Sequence, residues 1–344
     1  MAATTAVMPS PSSSLSSAPT VISTFSGCGG SSLGYKMAGY DVRLACEWDD
    51  HAVETYRANF PATPVYHGDV SELMADEAME LAGIGGPGGL DLFDGSPPCQ
   101  GFSTAGKRAT GDGRNQLFRQ YVRLLRGLKP RAFVMENVSG MTTGRMRPIF
   151  DECLALLRDS GYQVKARVIN AQWYGVPQSR SRVIFIGARD DLGITPTHPT
   201  PTVTKSITAS EALEGAPEGD DTPTLSEAWR KQWNRLRPGD RMSDVLTRTI
   251  GVAASWGTAK LHPHRPSRTL CKQQGGKGYA TMLHWAAPRA ISIPEAMRLA
   301  SFPDDFVFPG KYQERWSRIG NSVPPLFMKA IAEHVRVTIL EVNE

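Results

Sequence analysis

The 344-residue chain has no apolar run long enough to cross a bilayer, which excludes a helical membrane anchor. It has five cysteines, Cys28, Cys46, Cys99, Cys153 and Cys271, an odd number scattered without one CxxC pair. That pattern excludes a disulfide framework and a structural zinc site; it fits a reducing cytoplasm, and no metal is expected. The opening MAATTAVMPSPSSSLSSAPT lacks both the basic start and the continuous apolar stretch of a secretory signal, and its Ser, Pro and Ala predict a disordered tail over residues 1–19. Strong net charge is missing too: +4 is too mild to mark a nucleic-acid binder by itself. No internal repeat is present.

What remains is the composition of an ordinary globular protein, 40% hydrophobic and 21% charged, long enough for a large domain with a smaller one appended. Charge is uneven along it. Between Glu227 and Arg268 nine Lys and Arg face three acids, a local excess that suits either phosphates or a solvated surface.

From Thr20 to Ala188 short β-branched runs alternate with helical periods. TVISTF, VRLACE, LDLFDG, RAFVMEN, YQVKARVI and RVIFIGA read as strands bounded by Gly, Asn, Asp or Pro. NQLFRQYVRLLRGLKP places Leu117, Phe118, Tyr121, Leu124, Leu125 and Leu128 on one helical face, stopped by Pro130. Such alternation predicts an α/β fold with a mostly parallel sheet, helices on both faces, and ligands beyond the carboxyl ends of the strands. That rule nominates Phe25 to Gly30, Glu47, Asp69, Ser96 to Cys99 and Glu136 to Val138. After Arg189 the texture turns to TPTHPTPTVTKS and EGAPEGDDTPT, which marks a domain boundary. The expected division is a core domain over 20–190, a second region over 191–265, and a segment over 266–344 whose last helix, opened by two prolines, is amphipathic.

FSGCGGSSLG follows a strand and opens a helix, so its glycines let backbone approach a ligand. Glu47 after the second run suits the two hydroxyls of a ribose, Trp48 offers a face to adenine, and Asp69 after a third short run suits an adenine amino group. The other reading of Glu47 and Asp69 is that they cap the helices that follow. Cys99 stands in SPPCQ, where two prolines fix the backbone before the sulfur, the mount a nucleophilic thiolate needs. Cys28 is the rival nucleophile, while Cys46, Cys153 and Cys271 lie in apolar contexts and read as core. VMENV puts Glu136 on the same rim, where a buried carboxyl can hand over a proton. QSRSR places Arg180 and Arg182 two apart in an extended segment, as donors toward a carbonyl or phosphate or as surface charge.

The motifs FSGCGGSSLG, EWD, GD, GSPPCQGFS, ENV, QSRSR, RPSRTL and GNSVPP, in that order from about Thr20 to the terminal helix, resemble those of the DNA (cytosine-5)-methyltransferase family. The resemblance implies a class I, Rossmann-like methyltransferase sheet with a small target-recognition domain over 191–265, the terminal helix returning to the catalytic domain. It implies that Cys99 attacks carbon 6 of a flipped cytosine, that Glu136 holds N3 and the exocyclic amine, and that Arg182, with Arg180 beside it, meets the carbonyl oxygen. The cofactor implied is S-adenosylmethionine, contacted by Phe25, Gly27, Cys28, Gly29, Gly30, Glu47, Trp48, Asp69, Val70 and Pro98, with Asn321, Ser322 and Val323 completing the pocket.

The same resemblance makes GFSTAGKRATGDGRNQ a loop that closes over DNA, with Gln100, Ser103, Lys107, Arg114 and Asn137 as contacts. Among base-reading candidates are Asn234, Arg235, Arg237, Lys260 and His262. Double-stranded DNA is the expected partner and a cognate restriction endonuclease a candidate one, for a monomeric enzyme, orphan or restriction-associated, in the cytoplasm of a bacterial or phage-infected cell. Close alternatives are a transfer-RNA cytosine-5 methyltransferase and a member using a modified S-adenosylmethionine donor; a catalytically silent DNA-binding regulator would lack the cysteine or glutamate that are present. One departure stands out: the first strand ends ISTF where many members carry an acidic residue and leucine before the phenylalanine.

Overall fold

Short apolar runs form the strands of a seven-stranded sheet in this computed structural model, which describes residues 18–98, 115–217, 219, 221–251, 257–273 and 282–342. The strands are β1 (Thr20–Thr24), β2 (Asp41–Glu47), β3 (Val65–His67), β4 (Leu92–Gly95), β5 (Ala132–Val138), β6 (Tyr162–Asn170) and, after a two-residue β7 (Gln178–Ser179) outside the sheet, β8 (Ser181–Arg189). Their order is β3-β2-β1-β4-β5-β8-β6. Six run in one direction and β8 runs against both neighbours. Sequence pattern foresees the mostly parallel sheet but not the reversed strand. The reason is the connection: residues 171–180 link β6 to β8 with too little chain for the helical crossover that parallel pairing needs.

Helices α1 (Gly30–Met37), α2 (Asp50–Asn59), α3 (Ala75–Ala82), α4 (Asn115–Leu128) and α5 (Arg147–Arg158) connect the strands, and α6 (Ala209–Leu213), α7 (Glu227–Arg235), α8 (Met242–Ile250), α9 (Ile293–Leu299), α10 (Tyr312–Asn321) and α11 (Pro325–Val335) follow. Alternation along β1 sends neighbours to opposite faces. Val21 packs with Tyr35, Phe327 and Ile331 beneath α1 and α11, whereas Ile22 packs with Phe93, Tyr121 and Leu124 beneath α4. On α4 the predicted stripe of Tyr121, Leu124, Leu125 and Leu128 is fully enclosed, and the helix ends two residues before Pro130.

The terminal helix returns to the first one through a glycine. A Cβ on Gly34 of α1 would stand 2.6 Å from the Pro325 carbonyl oxygen and 2.8 Å from the Lys329 nitrogen of α11. Gly34→Ala must push the helices apart, an overpacking cost of about 1–3 kcal/mol that alanine's better helix propensity, about 1 kcal/mol, only partly offsets. A lowered thermal midpoint is expected; an unchanged one would show that the crossing relaxes freely.

Two further clusters lie beyond the sheet. One joins Tyr56 and Phe60 of α2 to Phe302, Phe306, Phe308 and Trp316. The other gathers Leu225, Leu236, Met242, Val245, Leu283 and Ala290 with Trp229 and Trp233 against it. Beside them β9 (Ala259–Lys260) pairs with β11 (Met282–Leu283), and β10 (Ser267–Arg268) pairs with β7. Cys271, expected in a core, is exposed, while Cys46 and Cys153 are buried as expected.

The proline-rich stretch after Arg189 is a fastened strap. Because β8 runs backward, it delivers the chain to the end of the sheet where β6 begins, and Asp190 donates its N–H to the Gly161 carbonyl there at 3.0 Å. The strap then climbs. His198 Nε2 lies 2.8 Å from the Ile184 oxygen, the Tyr174 hydroxyl donates to the Pro199 carbonyl at 2.9 Å, and Thr202 donates its N–H to Trp173 at 2.9 Å, beyond the far end of β6.

Candidate functional site

The carboxyl ends of β1, β2, β3 and β4 and the start of α4 enclose a cavity of about 300 Å3. Its walls are Phe25, Cys46, Glu47, Trp48, Gly68, Asp69, Val70, Pro98 and Leu117. Phe25 takes a left-handed backbone at φ 54°, a conformation that costs a non-glycine residue energy and is kept where surroundings enforce it. It directs the chain from β1 into the glycine loop. Gly29, also left-handed at φ 93°, lies against the Phe60 ring, and Gly30 lies so close to Ser322 and the Val323 carbonyl that no side chain fits. The GNSVPP segment thus meets the glycine loop through Ser322 and Val323, while Asn321 is exposed at the end of α10.

Glu47 holds this loop. One carboxylate oxygen accepts the Gly27 N–H at 2.8 Å, and the other accepts those of Trp48 and Asp49 at 2.9 and 3.0 Å. Burial raises its pKa, and the three N–H donors oppose that rise. The capping alternative fails for both acids. Asp49 caps α2, accepting the Ala52 N–H at 2.9 Å. Asp69 closes a turn onto the Ser71 N–H at 2.8 Å, and no helix begins until Ala75. Trp48 is 76% exposed on the cavity rim, where its ring can meet a planar ligand.

Two carboxylates, an aromatic face and Phe25 around a mostly apolar hollow suit a nucleoside with a short charged tail. Cys46, Gly68 and Leu117 also line it, and sequence reasoning does not find them: Cys46 reads as core, Gly68 only as part of the GD motif, and Leu117 as one more position of the α4 stripe. Glu47→Gln removes a charge and turns an amide toward N–H groups. Cofactor affinity should fall about tenfold or more, the scale of losing a charged hydrogen bond. Calorimetric titration checks this, and an unchanged dissociation constant would show that Glu47 serves only the loop.

Burial sets Cys28 and Cys46 apart. Cys28 packs its sulfur 3.6 Å from the Arg318 carbonyl oxygen, and burial pushes its thiol up to about 11; Cys46 is pushed up to about 12 by burial and then by the charges of Glu47 and Asp69. Burial disfavours the thiolate at both, which speaks against the rival reading of Cys28 as nucleophile. Cys99 lies outside the described residues, as do Gln100, Ser103, Lys107 and Arg114. The stem that carries them is described to Pro98. Asn137 donates its side-chain amide to the Pro97 carbonyl at 2.9 Å. Expected at DNA, Asn137 is buried and turned to the loop stem, because its strand neighbour places it beside β4.

On the next strands Glu136 and Arg182 form an ion pair at 2.7 Å, with side chains 9% and 13% exposed. The antiparallel register brings them together, since Val138 stands opposite Arg182. Arg180 differs from its expected role beside Arg182. It is buried, its Nη1 donates at 3.1 Å to the carbonyls of both Leu270 and Gly320, and its Nε has no partner among the described residues. Burial, and next the like charge of Arg182, pull its pKa down. The arginine therefore braces the RPSRTL and GNSVPP segments against the strand.

Farther off, Arg235 and Arg237 are exposed, as a nucleic-acid contact requires. Lys260 is not: it is buried, with its ammonium 3.3 Å from the Trp233 ring centre and 3.0 Å from the Leu236 carbonyl. Its place in the basic stretch hides a structural cation that closes the small cluster.

Residues 19–336 match the family model of C-5 cytosine-specific DNA methylases. The chain belongs to this family. Among the methylase's relatives, the type II methyltransferase M1.HphI of Haemophilus parahaemolyticus is 36% identical over 332 residues, covering 92% of this chain and 86% of that protein. M.XorII, a type II methyltransferase of Xanthomonas oryzae, is 32% identical, covering 92% of this chain and 84% of its own. A crystal structure described as a prophage-encoded DNA modification methyltransferase of E. coli superposes with a TM-score of 0.75 at 27% identity, covering 94% of the methylase and all of that chain. The fold alone is shared with the S. pombe Dnmt2 methyltransferase, at a TM-score of 0.66 and 18% identity, covering 95% of the methylase and all of that chain. Among the methylase's described residues no helix is long and apolar enough to cross a membrane.

Proposed function

We propose that this DNA cytosine-5 methylase is a cytoplasmic modification enzyme of the type II kind that binds S-adenosylmethionine in the Phe25–Glu47–Asp69 cavity and works through a covalent bond from Cys99 to cytosine. The observation that carries the reading is the Glu136–Arg182 pair standing beside the Asn137-held proline stem, on the same sheet edge as the cavity. Glu47 suits the ribose hydroxyls, Asp69 the adenine amino group and Trp48 the ring. Bound there, S-adenosylmethionine supplies an electrophilic methyl group.

The chain's own residues then divide the work. Carbon 5 of cytosine is too poor a nucleophile unaided, so the Cys99 sulfur adds to carbon 6 of the extruded base and makes carbon 5 electron-rich. Glu136 holds N3 and the amine, delivering a proton as the sulfur adds, so that negative charge does not build up on the ring. Arg182 fixes Glu136 and reaches the carbonyl oxygen. Loss of the carbon-5 proton to water, return of the N3 proton to Glu136 and departure of Cys99 restore the aromatic ring of the methylated base.

Arg235 and Arg237 are proposed as DNA contacts. The recognition module is proposed to include 282–291 as well as 191–265, because Leu283 and Ala290 complete its small cluster. Tritium from labelled S-adenosylmethionine should enter duplex DNA and not transfer RNA, and duplexes containing 5-fluorocytosine should leave an adduct on Cys99. Labelling confined to RNA would overturn the DNA substrate; transfer without an adduct would overturn the covalent route.

A further inference from the structure

RPSRTL carries two arginines, Arg265 and Arg268, and with Arg241 they meet at one glycine. Arg268 on β10 donates from Nη2 to the Gly239 carbonyl at 3.1 Å. Gly239 stands two residues before Arg241, and a Cβ on it would lie 3.3 Å from the ring of His262, which stands three residues before Arg265. The turns RPGDR, over 237–241, and HPHR, over 262–265, are thereby packed on each other. Arg241 and Arg265 are exposed there, and Arg268 is half-buried.

Guanidinium groups gathered at one corner repel, and no carboxylate relieves them. Among the described residues none of the three is in an ion pair. Asp240 turns instead to the Arg237 N–H at 3.0 Å and to Arg248 at 3.5 Å, while Asp244 accepts the Ser243 hydroxyl at 3.3 Å. The Arg268 pKa accordingly moves down, by burial first and then by the like charge of Arg241, with Arg265 adding to the fall and Asp244 opposing it.

The backbone beneath these side chains is braced. The Arg265 carbonyl accepts the Ala209 N–H of α6 at 2.8 Å, Met242 beside Arg241 donates its N–H to the Thr258 carbonyl at 2.9 Å, and Arg268 is paired with Ser179 of β7. A solvated surface charge needs no such bracing. Unpaired arginines held together on a fixed frame suit an anion from outside the chain, and the planar fork of a guanidinium matches the oxygens of a phosphate at low ordering cost.

We propose that Arg241, Arg265 and Arg268 form a clamp for the phosphate backbone of the bound duplex, which sets the DNA in register with the groups that handle the base. The strand β10 conveys that register. Ser179, opposite Arg268, directly precedes Arg180, and Arg180 holds the Leu270 carbonyl at 3.1 Å, so the clamp rides on the same braced segment that leads to Arg182 and Glu136. The inference rests on duplex DNA as the substrate, and it gives these positioning residues a role that does not depend on base sequence.

Equilibrium binding of the full chain to a duplex that it methylates and to a scrambled duplex that it does not, each across about 50 to 200 mM potassium chloride, tests the clamp. Arg241→Gln, Arg265→Gln and Arg268→Gln should each weaken binding to both duplexes by about tenfold at the low end, the scale of losing a charged hydrogen bond. Each should also flatten the plot of log affinity against log salt by about one. Arg265→Lys keeps the charge without the fork and should keep the slope. Removing one of several repelling charges should leave the thermal midpoint of free Arg241→Gln and Arg265→Gln no lower than that of wild type, whereas loss of a structural brace would lower it. These two variants also carry the test if Arg268→Gln, deprived of its tie to Gly239, does not fold. Unchanged salt slopes in both would overturn the clamp, as would a loss confined to the methylated duplex, which would make the arginines base readers. Methylation of transfer RNA alone by wild type would remove the DNA substrate, and the clamp with it.

Discussion

Cys99→Ser should stop methyl transfer, lowering the single-turnover rate by at least about a thousandfold, while S-adenosylmethionine still binds within about twofold of wild type. Serine keeps the size and the proline mount but replaces a thiol that can ionise near neutrality with a hydroxyl that cannot. The neighbouring thiols give no substitute, since Cys28 and Cys46 are held protonated by burial. Among the described residues the proposed cofactor cavity meets the stem of this loop at Pro98, and Asn137 secures the stem at Pro97, so the cavity should survive the substitution. Tritium transfer and calorimetry read the two halves separately. Substantial turnover by the serine variant would refute the covalent route; lost binding would show that the sulfur also shapes the cavity.

Glu136→Gln should lower the rate by about a hundredfold or more, the usual scale for removing a proton donor. The amide is chosen because it separates two roles. A glutamine oxygen can still accept from Arg182, so the arginine is not stranded in a buried site, whereas truncation to alanine would strand it at about 3–5 kcal/mol. The loss should therefore fall on kcat, with the thermal midpoint little moved and DNA affinity largely kept. An unchanged kcat would place the proton source elsewhere.

Much of this site is legible in sequence because its parts sit at strand ends, and strand ends are where β-branched runs meet Gly, Pro and Asp. Glu47, Asp69 and Glu136 are found that way, and each stands on the sheet rim. What sequence spacing does not supply is the partner across the sheet. Arg180 and Arg182 look equivalent two residues apart, yet one lies among backbone carbonyls and the other against Glu136, because segments near Leu270 and Gly320 close over only the first. Lys260 belongs to a basic run and is nevertheless buried, since Trp233 and Leu236 fold back over it. The ISTF departure is visible as an absence on β1, but the carboxyl that meets Ser23 there, that of Asp94, lies 71 residues away and is found only through strand register. The reversed direction of β8 is hidden for the same reason, being a property of a connection rather than of the strand's own residues.

The strap after Arg189 has a consequence for recognition. A flexible tether would leave the proposed base-reading module to sample many orientations, and DNA would have to bear the entropy of arresting it at each encounter. Here Gly161, Ile184, Tyr174 and Trp173 anchor the tether along the sheet, so that loss is met when the chain folds. Exchanging the module for one that reads another sequence should therefore succeed only if the graft point lies beyond Val203, downstream of the last anchor, where new specificity can be added without loosening its aim.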